Sequence, residues 1–144
     1  MASNGSGALP FRGDVLVDGA RIAAVAPAGQ LPPRVDARTI ECGGATLMPG
    51  LIEPHTHLSF VDQATPDAVS SLPVEEHLLL TLKHAKLYLD SGYTACVSAA
   101  ATKPRLDVVT RNAIDRGEHP GPRLRAASVQ LTVTGGVGDL RQMH

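Results

Sequence analysis

The residues best suited to chemistry in this 144-residue chain are two histidines one position apart, His55 and His57. Alternate residues of a β-strand point to the same face, so an extended backbone sets the two imidazoles side by side. Neutral imidazole is a common ligand for zinc and its neighbours, and such a pair offers two coordination positions. The spacing therefore points to a divalent metal, with zinc preferred and manganese, iron and cobalt also compatible. An H-x-H pair taken alone carries little information, and two hydrogen-bonded histidines at a strand end are the competing structural reading.

The other reactive residue types read as structural. His77 and His84 stand seven positions apart in a segment with helical patterning, and we read them as surface residues rather than ligands. His119 precedes Pro120 in a loop and reads as solvated, while His144 ends the chain without an assignment. Cys96 falls in a short apolar run, where a core thiol is a simpler account than a nucleophile. Cys42 and Cys96 form no C-x-x-C pair and read as two reduced thiols of a cytosolic protein, with a single bridge as the alternative. Gly135, Gly136 and Gly138 lack the lysine and spacing of a phosphate loop, so they read as a turn and no cofactor-binding residue is assigned.

The elements that must position His55 and His57 follow from patterning. Residues 14–18 and 21–26 are short β-branched runs joined through Asp18 and Gly19, a strong hairpin signal because both turn residues need positive φ. Residues 38–41 and 45–48, separated by Gly43 and Gly44, read as further extended pieces of a small antiparallel unit. After Pro49 and Gly50, the run from Leu51 to the histidines reads as a buried strand. A helix is expected from Pro73, with Glu75 and Glu76 in its first turn and an apolar stripe of Leu78, Leu82, Ala85 and Leu89 before Ser91 and Gly92. Residues 93–98 read as a second strand, 104–116 as a second helix with Leu106, Val109 and Ala113 on one side, and 123–129 as a third strand. Alternation of this kind predicts an α/β fold with βαβ units on a parallel sheet.

Composition narrows the function classes. With 43% hydrophobic and 19% charged residues the chain reads as globular, and its net charge of −1 provides no broad attraction for nucleic acid or an anionic membrane. Two Phe, two Tyr and no Trp leave an aliphatic core and no aromatic platform for bases. No apolar run approaches the roughly 20 residues needed to span a bilayer. The small polar start, residues 1–12, lacks the regions of a secretory signal and reads as a flexible leader.

The segment Leu47-Met-Pro-Gly-Leu-Ile-Glu-Pro-His-Thr-His57, preceded by the hairpin, resembles the N-terminal signature of the amidohydrolase superfamily. Gly92-Tyr-Thr94 resembles the start of that family's second barrel strand. Gly121-Pro-Arg-Leu124 and Thr134-Gly-Gly136 resemble the branch of imidazolonepropionase-like enzymes and Xaa-Pro dipeptidases. The resemblance implies the N-terminal part of a (β/α)8 TIM barrel preceded by a small partial β-sandwich, with the sandwich-like segment over 13–48 and about three βα units over 49–144. It also implies that His55 and His57 bind one or two divalent metals, and that a metal-activated water cleaves a carbon–nitrogen bond of a small amide or dipeptide-like substrate.

Two departures accompany the resemblance. Val137 stands where many members of that branch carry a histidine. The family's further ligands and its catalytic aspartate belong to later barrel strands, and a closed barrel takes roughly 250 residues, so no aspartate here is assigned a catalytic role. The alternative reading is a catalytically incomplete fragment or subunit that associates with copies of itself or with a complementary chain through an open sheet edge.

Overall fold

The computed structural model describes residues 1–136 and 139. Val137, Gly138 and His144, singled out above, lie outside the described residues. The chain divides into two compact units, Met1–Pro49 and Gly50–His144.

In the first unit, β1 (Gly13–Asp18) and β2 (Arg21–Pro27) form the expected antiparallel hairpin, but its turn lies one residue later than the Asp18-Gly19 reading: Asp18 pairs with Arg21, and the turn residues are Gly19, at φ +56°, and Ala20, which has no positive φ. The backbone N–H of Gly29 donates to Asp14 Oδ2 at 2.7 Å and closes the far end. The extended pieces expected at 38–41 and 45–48 are not strands. A strand needs a neighbour to share its ladder, and the sheet of this unit contains β1 and β2 alone among the described residues. Ile40 remains 74% exposed, and Leu47 makes only an isolated bridge to Ala2. Met1 and Ser3 also donate to the carbonyls of Ala45 and Leu47, so the first residues of the leader are paired.

The second unit is a parallel three-stranded sheet in the order β3 (Leu51–Thr56), β4 (Tyr93–Ser98), β5 (Arg123–Arg125). The intervening elements are α1 (Pro66–Ser71), α2 (Val74–Asp90) and α3 (Leu106–Asp115). The fold is thus α/β, with the strand–helix alternation expected from the sequence. Leu58, Ala85, Cys96 and Leu124 form the buried core, with Tyr88, Tyr93 and Ile114 packed around it. Gly50 opens the unit against Thr94, whose side chain occupies the space a methyl group would need. No helix among the described residues is long and apolar enough to cross a membrane.

Four elements differ from the sequence reading. β3, expected to be a buried strand, has Leu51 and Ile52 exposed and only Thr56 buried. α1 is an addition, started by Thr65, whose Oγ1 accepts from the N–H of Ala68. The buried line of α2 is His77, Thr81 and Ala85, so of the expected apolar stripe only Ala85 is fully buried. β5 stops at Arg125, short of the expected residue 129, and the N–H groups of Ala127 and Ser128 turn instead to the buried carboxylate of Asp107 at 2.9–3.1 Å.

Candidate metal centre

β3 delivers His55 and His57 to the end of the sheet where its hydrogen-bond ladder finishes. Thr56 is buried opposite Ser98, and its carbonyl accepts from Ala99 N–H at 2.8 Å. With Thr56 turned inward, His55 lies exposed and His57 half-buried, as strand alternation requires. Glu53 stiffens the segment, its Oε1 accepting from the backbone N–H of His55 at 3.0 Å. A turn follows at once, in which Phe60 N–H donates to the His57 carbonyl and the Phe60 ring stacks on the His57 imidazole at 4.3 Å.

The two imidazoles converge. Their Nε2 atoms stand 3.2 Å apart, with the rings edge to face at 75°. His57 Nδ1 lies 3.1 Å from the Ala100 carbonyl, and a carbonyl only accepts, so Nδ1 carries the proton and donates it. In the neutral ring, Nε2 is then a bare lone pair aimed at His55. Either His55 Nε2–H fills that gap or a cation does. Two nitrogens bound to one tetrahedral zinc at about 2.0–2.1 Å stand about 3.3–3.4 Å apart, so the observed separation fits a shared metal. A carbonyl fixing the second ring nitrogen is also how metal-bound histidines are held. Among the described residues no group of three or more His, Cys, Asp or Glu side chains converges.

The turn behind His57 is anchored by residues read from sequence as surface. His77 is fully buried in α2, and its Nε2–H donates to the Ser59 carbonyl at 2.7 Å, with Thr102 Oγ1 also 3.2 Å from that nitrogen. His84, one heptad further along the helix, donates from Nδ1 to the Leu58 carbonyl at 3.0 Å. Ser59 Oγ accepts from Thr102 N–H at 2.8 Å. The surface reading of His77 and His84 is therefore corrected: the apolar stripe drew attention to Leu78 and Leu82, whereas the neighbouring face meets carbonyls and needs donors. Burial holds His77 below the ordinary histidine range, the Ser59 hydrogen bond opposing this and the charge of Lys103 adding to it. Its Nδ1 has no partner, as expected of a neutral ring that spends its one proton on Ser59. The seven-residue spacing was the available signal, since it places both rings on one helix face.

The remaining candidates have their own surroundings. Cys42 and Cys96 are both free thiols, Cys42 exposed and Cys96 buried. Burial and the charge of Glu53 push the Cys96 thiol up, a hydrogen bond to the Glu53 backbone only partly offsetting them, so Cys96 is the inert core thiol expected. His119 is half-buried, its Nδ1 donating to the Pro120 carbonyl at 2.8 Å.

No protein-family model matches the chain. It is similar to the adenine deaminase of Deinococcus radiodurans, with 33% identity over 130 residues that cover 83% of this chain and 23% of that protein. It is 44% identical over 46 residues to the imidazolonepropionase of Thermoplasma acidophilum, covering 32% of this chain and 10% of that protein. Among solved structures, a Xaa-Pro dipeptidase with methionine bound in its active site superposes with a TM-score of 0.73 at 26% identity, over 87% of this chain and 30% of that one. The chain thus spans less than a third of the length of each.

Proposed function

Because the chain belongs to the amidohydrolase superfamily and matches the N-terminal portion of its members, we propose that it carries the first two metal ligands, His55 and His57, of a hydrolase acting on carbon–nitrogen bonds. On this reading the parallel sheet of the second unit is the beginning of a (β/α)8 barrel, and the first unit is part of a small β-sandwich. The single observation that carries it is the pair of Nε2 atoms 3.2 Å apart, with the His57 tautomer fixed by Ala100.

A divalent cation held there, zinc first among the options, supplies Lewis acidity and a water acidified toward neutral pH. This chain's own residues hold and orient: Ala100 keeps the His57 proton on Nδ1, Glu53 fixes the backbone at His55, and Phe60 shields one face of the His57 ring. The substrate is a small amide or dipeptide-like molecule, a class supported by the imidazolonepropionase and Xaa-Pro dipeptidase relatives. The aspartate that moves a proton to the leaving nitrogen is supplied outside the residues assigned here. Two free thiols, Cys42 and Cys96, support a cytosolic location for such an enzyme.

The test is zinc binding by the purified chain beside a His55→Ala/His57→Ala double variant, read by elemental analysis after equilibration and paired with the mass in solution. Bound zinc that falls at least about tenfold in the variant supports the site. Equal binding by the two proteins would sink the proposal. The mass also addresses a second reading, association with another chain. That reading is favoured by Ile52 of β3, 66% exposed, and Val97 of β4, 36% exposed, within the sheet.

A further inference from the structure

We propose that His77 and His84 of α2 are positioning residues: by holding the carbonyls of Ser59 and Leu58, they set the His57 imidazole that immediately precedes those two residues. The proposal rests on the reading of His57 as a ligand, and its test separates the two.

The geometry is specific to this pair. Two imidazoles on one helix face, seven residues apart, deliver one N–H each to consecutive carbonyls, at 3.0 Å for Leu58 and 2.7 Å for Ser59. Those carbonyls belong to the turn that opens directly after His57 and closes with the Phe60 N–H on the His57 carbonyl. Fixing two successive peptide planes removes the rotations by which that turn could carry the His57 ring away from Ala100 and from His55. The loop after β4 holds the other side: Ala100 accepts from the His57 ring, and Thr102 N–H donates to Ser59 Oγ. His57 is thereby gripped through its ring by one loop and through its following backbone by a helix.

The identity of the side chains supports a donor role over simple packing. His77 is fully buried, yet only one of its ring nitrogens has partners and Nδ1 has none. An apolar side chain of similar size would fill the same space without stranding a polar atom. What histidine adds at this position is an N–H that reaches a carbonyl from a helix, and the same holds for His84. Thr81, on the buried line one turn from His77, instead spends its hydroxyl on the His77 carbonyl of its own helix, so it contributes nothing to the turn.

The test follows the His57 ring by nitrogen NMR of the histidine-labelled, metal-free 144-residue chain at about pH 8, where free imidazole is neutral. The wild type is expected to hold His57 as a single tautomer protonated on Nδ1. In His77→Leu/His84→Leu, a mixture of tautomers is expected, with zinc affinity reduced about tenfold. His77→Gln, whose amide can reach Ser59, restores the single tautomer, whereas the shorter His77→Asn does not. Thr110→Ala opens an equally buried spot on α3 and leaves the His57 tautomer unchanged, which distinguishes positioning from loss of stability. A folded double-leucine variant that keeps one Nδ1-protonated tautomer overturns the proposal. Should that variant not fold, equal tautomer populations in the Gln and Asn variants overturn it. Absence of zinc binding by the wild type would defeat the metal reading and leave the tautomer result to decide this one.

Discussion

At the scale of single residues, three histidines of the second unit are spent on backbone carbonyls near the candidate site. His57 donates to Ala100, His84 to Leu58 and His77 to Ser59, and each bond selects which ring nitrogen is bare. His77 is the one whose environment has a consequence for pH. Burial holds its proton affinity below that of an ordinary histidine, so in acid the unfolded chain binds a proton that the native state resists. The sign is therefore that the stability from this group is complete above about pH 6.5 and is lost as pH falls below it. The urea midpoint of the wild type is expected to fall between about pH 7.5 and about pH 5.5, and that of His77→Gln to fall less. Equal declines in the two proteins would assign the acid sensitivity to other groups.

At the scale of elements, the loops that follow the strands are laced to the helices. α2 holds the turn after β3, and α3 holds the loop after β5 through Asp107, a buried carboxylate that accepts from Ala127 and Ser128. Ala101 N–H donates in turn to the Ser128 carbonyl at 2.7 Å, tying the loops after β4 and β5 together. Removing the carboxylate leaves two N–H donors without their acceptor, so Asp107→Ala is expected to cost about 1.5–3 kcal/mol in denaturant unfolding. Amide exchange should accelerate first at Ala127 and Ser128. Asp107→Asn, which keeps one acceptor oxygen, should lose less. Unchanged exchange at those two amides in the alanine variant would show that the loop is held by something else.

At the scale of the whole molecule, the two units differ in what holds them. The core of Leu58, Ala85, Cys96 and Leu124 lies in Gly50–His144, whereas among the described residues of Met1–Pro49 only Ala2 is a buried apolar side chain. A two-stranded hairpin without a packed face is marginal in water, so its hydrogen bonds open more readily than those of a central strand. Amides of β1 and β2 are accordingly expected to exchange faster than those of β4, the middle strand of the parallel sheet. Protection in β1 equal to that in β4 would mean that the first unit is stabilised as strongly as the second. The same contrast bears on function, because both proposed ligands, His55 and His57, sit in the better-packed unit.

What the sequence determined by itself was local. The presence of the first hairpin was legible from the Asp18-Gly19 signal, though not the position of its turn, which falls on Gly19 and Ala20, and the strand–helix alternation from Leu51 to Arg125 follows from periodicity. That His55 and His57 lie on one side follows from the two-residue repeat of a strand, whereas the 3.2 Å approach of their rings also involves the Ala100 carbonyl that holds His57. Tertiary structure decided whatever depends on a distant partner. Residues 38–41 have strand-like composition and no neighbouring strand to pair with, so they stay irregular. β5 ends early, and the N–H groups of Ala127 and Ser128 beyond it are captured by a carboxylate 20 and 21 positions upstream, an interaction that patterning within the strand does not encode. The helix face that turned inward on α2 was likewise chosen by what it meets. The carbonyls of Leu58 and Ser59 need donors, and His77 and His84 supply them, where hydrophobicity alone pointed to the leucines beside them.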